Sequence, residues 1–164
     1  MKVLLAVDRA LSRVEGWILI ALLSVMVLLS FVQVVLRNVF HEGIIWADIL
    51  LRHIVLWIGF LGAAIATSED RHISIDAFAR FLPDRVRHAA SAITHLFAAA
   101  VCGILAHASL TFIHNDLASG SEFLPGIPAW YSEIIIPVGF VLLALHFVIR
   151  ACVKVAAAAG RGTA

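Results

Sequence analysis

Charge is what this chain has least of. Asp, Glu, Lys and Arg make up 14% of its 164 residues, against 62% hydrophobic ones. A soluble domain carries about 25% charged and about 45–50% apolar residues. A monomeric water-soluble domain is therefore excluded, and a disordered chain with it. The net charge of +1 offers no basic field, so no nucleic acid is expected as a partner. Cysteine is nearly absent as well. Cys102 falls in the middle of an apolar run and Cys152 just beyond the end of another. Depths that different cannot be bridged, so both are read as free thiols and a disulfide-stapled secreted domain is excluded. Motifs of chemistry are missing too. Gly160-Arg-Gly-Thr163 is not a phosphate-binding loop, and there is no HExxH, no nucleophile elbow and no Cys/His set with metal spacing. The chain reads as no enzyme, and no cofactor is expected.

What is present is hydrophobicity, with a mean hydropathy of +1.01. It places the chain in a bilayer, and its length limits it to about four spanning helices. The uncharged stretches are Gly16–Leu36, His53–Ser68, Ala89–Asn115 and Ile134–Ile149. A helix needs ~20 residues to cross the hydrocarbon core, so the first and third suffice alone. The second has to reach back through Arg52 and Asp48 to Ile44, and the fourth through Glu133 to Ile127. The expected fold is an all-α, single-domain membrane protein over 1–164, with spans at approximately 16–36, 45–67, 89–113 and 127–149. Lys2, Arg9 and Arg13 before the first run resemble a signal peptide. The run is too long for one, however, and no small-x-small site follows it, so it reads as a retained first span.

Ten of the twelve Lys and Arg residues lie on one predicted side: Lys2, Arg9, Arg13, Arg71, Arg80, Arg85, Arg87, Arg150, Lys154 and Arg161. Arg37 and Arg52 lie on the other. The positive-inside rule then puts both termini and the 69–88 loop in the cytoplasm. Within that loop Ile75, Phe78, Ala79 and Leu82 share one helical face, which predicts a short interfacial helix. Val3, Val7, Leu11 and Val14 alternate with polar residues in a similar way at the N-terminus.

The remaining polar and small residues each carry two readings. Asp48 and Arg52, four apart, can neutralise one another on one helical face, with Glu133 at a similar depth. They form either an outer-leaflet cluster that fastens helices or a partner, or ordinary interfacial side chains that snorkel. Gly59, Ala63 and Ala66 line one side of span 2 beside Gly62, and Ala99, Gly103 and Ala106 line span 3. Small stripes let helices approach closely, between subunits or within one bundle. Pro137 is expected to kink span 4. His53, His95, His107 and His146 lie within or at the ends of spans, where a haem-b or quinone redox subunit would place ligands. His95 and His107 are ~120° apart around a helix, which argues against two haems stacked on one face.

The order of these features resembles the small membrane subunit, of DctQ type, of tripartite ATP-independent periplasmic (TRAP) transporters. The matching residues are Gln33-Val-Val-Leu-Arg37-Asn-Val-Phe40, Trp46-Ala-Asp48, Arg52, Trp57 and Gly59-Phe-Leu-Gly-Ala-Ala64. They continue with His72-Ile-Ser-Ile-Asp76, Leu82-Pro83, Ile127-Pro-Ala-Trp130 and Ile136-Pro-Val-Gly-Phe140. The family typically shows an acidic pair after the tryptophan, and Ala47 departs from it. The match covers roughly residues 10–150.

The resemblance implies a non-catalytic scaffold in the bacterial inner membrane. It would widen and anchor a larger multi-span permease that is driven by sodium and moves in an elevator-like way. A periplasmic binding protein would deliver an organic acid to that permease. The residues agree with a scaffold, since no charge lies near a predicted midplane, where secondary transporters place their sites. The expected contacts with the large subunit are Gly59, Gly62 and Ala63, with Asp48, Arg52 and Glu133. His72, Asp76, Arg80 and Pro83 are expected to order the cytoplasmic loop, against the large subunit or membrane lipids.

Overall fold

The computed structural model describes residues 2–68, 84–124 and 126–158. Four long helices dominate it, each long and apolar enough to cross a membrane. Helix α1 runs from Lys2 to Val35 and ends in a π-helical turn over Leu36–Phe40. His41 then takes a left-handed conformation, φ 56°, which stops the helix. Helix α2 spans Ile45–Ser68 and α3 spans Asp84–Ser119. Gly120, at φ 68°, closes α3 in the left-handed position that a glycine occupies without Cβ strain. A small antiparallel hairpin follows, β1 Glu122–Leu124 and β2 Ile127–Pro128. The last span is in two pieces, α4 Trp130–Glu133 and α5 Ile135–Ala158.

That division falls where a proline at 137 disturbs a helix. Proline clashes with the carbonyl four residues before it, which for Pro137 is that of Glu133. The break falls next to that carbonyl, at Ile134, and Pro137 stands in the first turn of α5, where its missing N–H costs least. The expected start of the span near Ile127 is likewise taken by β2.

Helix α3 packs chiefly on α5, α2 on both α1 and α5, and α1 touches α5 more sparingly. The buried face of α3 is Ala92, His95, Ala99, Cys102, Ala106 and Ser109. Steps of three and four keep these small side chains on one stripe, so the α3 backbone can lie close to α5. Gly103, expected on that stripe, is exposed with nothing near its missing Cβ. On α2 the buried face is Ala47, Ile54, Leu61, Ala64, Thr67 and Ser68.

Helix α1 differs from both. Its buried residues among those described are polar: Asp8, Glu15 and Gln33. Seven and eighteen residues apart, they fall on one face at 3.6 residues per turn. Half-buried Leu22, Met26 and Leu29 lie between them. The N-terminal segment, read from its pattern as an interfacial helix, is instead continuous with span 1. Val7 and Val14 are exposed on it and Asp8 is turned inward. Partners on α5 attract the acids, a long-range cause that a helical wheel of one segment does not contain. The interfacial helix expected over 75–82, with His72, Asp76, Arg80 and Pro83, lies outside the described residues.

Candidate functional site

The junction of α1 and α2 is tied by side chains that bind the connecting backbone. Gln33 donates from Nε2 to the Ile44 carbonyl at 2.8 Å and accepts the Ile44 N–H at 3.0 Å. The same Nε2 reaches Asp48 Oδ1 at 3.1 Å. Arg37, one turn beyond Gln33, donates to Asp48 Oδ2. The Arg37 side chain also lies over Gly43, where a Cβ would stand 3.0 Å from its Nε. One amide thus satisfies both polar groups of Ile44, and one carboxylate gathers Gln33 and Arg37. The ion pair is half-exposed and contributes little by itself. Gln33 is buried, so its hydrogen bonds weigh more.

This arrangement corrects the expected Asp48–Arg52 pair. Asp48 turns back to Arg37 on the preceding helix, while Arg52 has no hydrogen bond or ion pair among the described residues and is exposed. Nor do Asp48, Arg52 and Glu133 form one cluster. Glu133 is half-buried, and its Oε2 is without a hydrogen-bond partner among the described residues. Nearby, Trp57 Nε1 donates to the Ser132 carbonyl at 2.9 Å, linking α2 to α4. His53 bonds the Ile49 carbonyl at 2.8 Å through Nδ1 and packs edge-on against Phe123.

Arg52 shares its outward face of α2 with Gly59, Ala63 and Ala66, which are all exposed. The steps of seven, four and three keep the four on one side. A Cβ added at Gly59 or Gly62 would meet nothing within 4 Å. Gly139 on α5 is the opposite case. It is buried, and a Cβ there would fall 2.7 Å from Phe60 Cγ and 2.9 Å from Phe60 Cβ. Gly139 is needed by this chain's own α2–α5 seam, whereas Gly59 and Gly62 are not.

At the other end of the bundle a buried ionic cluster joins α1 to α5. His146 is fully buried, with Nδ1 2.7 Å from Asp8 Oδ1 and Nε2 3.2 Å from Glu15 Oε1. Arg150, one turn on, donates to Asp8 Oδ2 at 2.9 Å. Both ring nitrogens of His146 are thus engaged, and neither is free to ligate an iron. His95 spends its Nδ1 on the Ser91 carbonyl at 2.6 Å. The histidines that suggested a redox subunit include one whose place is electrostatic.

Residues 26–157 match the family described as tripartite ATP-independent periplasmic transporters, DctQ component. The chain belongs to that family. It is a multi-pass membrane protein and a small permease subunit of TRAP type, non-catalytic like the family. Over 173 residues it is 25% identical to the C4-dicarboxylate TRAP transporter small permease protein DctQ of Pseudomonas aeruginosa, covering 87% of this chain and 82% of the relative. It is 25% identical over 147 residues to the ectoine TRAP transporter small permease protein TeaB of Halomonas elongata, covering 88% and 76%. It is 24% identical over 139 residues to the sialic acid TRAP transporter permease protein SiaT of Haemophilus influenzae. There the match covers 84% of this chain but 22% of the relative, so this small subunit spans only part of that permease's length.

Gln33, Arg37 and Asp48, from two separate stretches that carried the resemblance, meet at the α1–α2 junction of the small subunit. Sequence reasoning missed Asp8, Glu15, His146 and Arg150 as a group. The available signal was the seven-residue spacing of Asp8 and Glu15 against the four-residue spacing of His146 and Arg150, which puts two acids on one face and two bases on another. It missed the partner of Asp48 because Arg37 lies across a chain reversal.

Proposed function

We propose that this small subunit is a fixed scaffold in the bacterial inner membrane, with both termini in the cytoplasm. It docks a large multi-span permease along the outward face of α2. The observation that carries this reading is an Arg52 without a partner among the described residues, at the head of an exposed Gly59–Ala63–Ala66 stripe. An arginine in an apolar helix is costly unless paired or drawn to the interface, and small residues permit close helix approach. A partner helix with an apolar ridge, and a carboxylate level with Arg52, would answer both features. Gly62 flanks the stripe. Asp48 acts one step removed, by holding the α1–α2 junction, and Glu133 offers a polar group on the neighbouring helix.

The wider role follows from the resemblance and from the relatives. The permease is read as sodium-driven, supplied by a periplasmic binding protein. Its substrate class is read as an organic acid, supported by the C4-dicarboxylate and sialic acid named for two relatives. Anchoring by surrounding lipid is consistent with exposed Trp17, Phe97 and Ile104.

The test is co-purification. Gly59→Leu with Ala63→Leu, or Arg52→Gln, should reduce recovery of the tagged large subunit severalfold while this chain keeps its own fold by circular dichroism. Unchanged complex yield and unchanged sodium-dependent uptake in proteoliposomes of the full system would refute the interface.

A further inference from the structure

The ionic cluster at the α1–α5 contact has a charge balance that depends on one proton. Asp8 and Glu15 bring two carboxylates, and Arg150 brings one guanidinium. A carboxylate only accepts hydrogen bonds, and each ring nitrogen of His146 faces one, at 2.7 Å and 3.2 Å. Both nitrogens donate together only in the imidazolium. With that form the cluster sums to zero. With neutral imidazole it holds one uncompensated negative charge, and a ring lone pair points at a carboxylate. Asp8, Glu15 and His146 are buried, at 2%, 2% and 0% exposure, so water does not relieve that imbalance.

Among the described residues of this end of α1, Leu4, Val7, Val14, Trp17 and Ile18 are exposed and Leu5, Leu11 and Leu19 are half-buried, so its fully buried side chains are the two acids. Among the described residues, the surrounding groups lie as follows on each element. From α1, Asp8 and Glu15 face the ring, while Arg9 and Arg13 are exposed. From α5 itself, Arg150 lies one turn on and Lys154 two. The α2–α5 register, with Phe60 at Gly139, puts Thr67 level with His146, and Thr67 does not titrate. From α3, the His95 ring packs edge-on against Phe147. Arg87 and His88 lie about two turns closer to the start of α3.

We propose that this cluster is a proton-binding latch. Protonated His146 holds the N-terminal end of α1 against α5, and loss of the proton loosens it. The sign follows from linkage: the contact is full where His146 carries its proton and weakens as rising pH removes it. The device governs how firmly the N-terminal end of span 1 is held against α5, separately from the α1–α2 packing and from the docking face on α2.

The test uses the full chain in lipid nanodiscs, spin-labelled through Leu4→Cys and Val155→Cys in a background with Cys102→Ala and Cys152→Ser. Double electron–electron resonance is read from about pH 5.5 to about pH 9, a range that brackets histidine titration. One short distance population is expected at low pH, with a longer one growing severalfold as pH rises. His146→Gln, which leaves the acids in excess, should show the long population throughout. Glu15→Gln should show the short one throughout, because its amide can donate to neutral imidazole while Asp8 and Arg150 balance. A wild-type distribution that does not change with pH overturns the latch, as does a Glu15→Gln variant that keeps the wild-type pH response.

Discussion

Gly139→Ala tests the α2–α5 seam with a single methyl group. Its Cβ would come within 2.9 Å of three Phe60 side-chain atoms, Cβ, Cγ and Cδ1. Real Cβ atoms do not approach so closely, so something has to shift. Phe60 cannot simply swing aside, because its ring packs edge-on against Phe140 with centroids 5.1 Å apart. Trp57, one turn earlier, is fastened to the Ser132 carbonyl. Overpacking of this kind costs about 1–3 kcal/mol, roughly a five- to 150-fold increase in the unfolded fraction. The control is Gly59→Ala, where the new methyl meets nothing. It should be neutral, or gain up to about 1 kcal/mol from helix propensity. Both variants can be unfolded by SDS titration in mixed micelles and followed by far-UV circular dichroism. Adding Phe60→Ala to Gly139→Ala should restore part of the loss, with a coupling of about 0.5–3 kcal/mol. Equal shifts for the two glycines, or no coupling to Phe60, would refute the reasoning.

Three further substitutions probe the polar ties. Gln33→Leu removes the two Gln33 hydrogen bonds to Ile44, leaving its N–H without a partner among the described residues while its carbonyl keeps the Ala47 N–H; it should cost about 1–3 kcal/mol and speed amide exchange at Ile44 more than elsewhere. Trp57→Phe removes one interhelical bond while keeping an aromatic ring, and should cost about 0.6–1.7 kcal/mol in the same SDS titration. Arg37→Ala opens a half-exposed ion pair; its effect should stay under about 1 kcal/mol and shrink further in high salt.

The helix class and the number of spans were legible because they rest on run lengths. Placing a segment in lipid depends on side-chain transfer energies that add along the chain, and these are read directly from residue order. The acids of α1 were legible as charges but not as core. The pattern of Val3, Val7, Leu11 and Val14 read as an interfacial helix, which does not say that Asp8 is buried in the bundle. The small residues of α2 and α3 looked alike in sequence. Packing separates them, since Ala99 and Ala106 are buried against this chain's own helices, while Gly59 and Ala63 are left open. The loop residues His72, Asp76, Arg80 and Pro83 gain no structural reading.

Sequence alone determined that this protein is a four-helix membrane component with its charges kept from the centre. That followed from composition and local runs, which neighbouring residues decide among themselves. Only the tertiary structure decided which charge meets which. Asp48 was four residues from Arg52 and pairs with Arg37 across a chain reversal, eleven residues away. His146 meets Asp8 across a separation of 138 residues. Such pairings depend on how each helix is rotated and how far it slides against its neighbours. Those two variables are set by packing across the whole bundle, and no local stretch of the chain contains them.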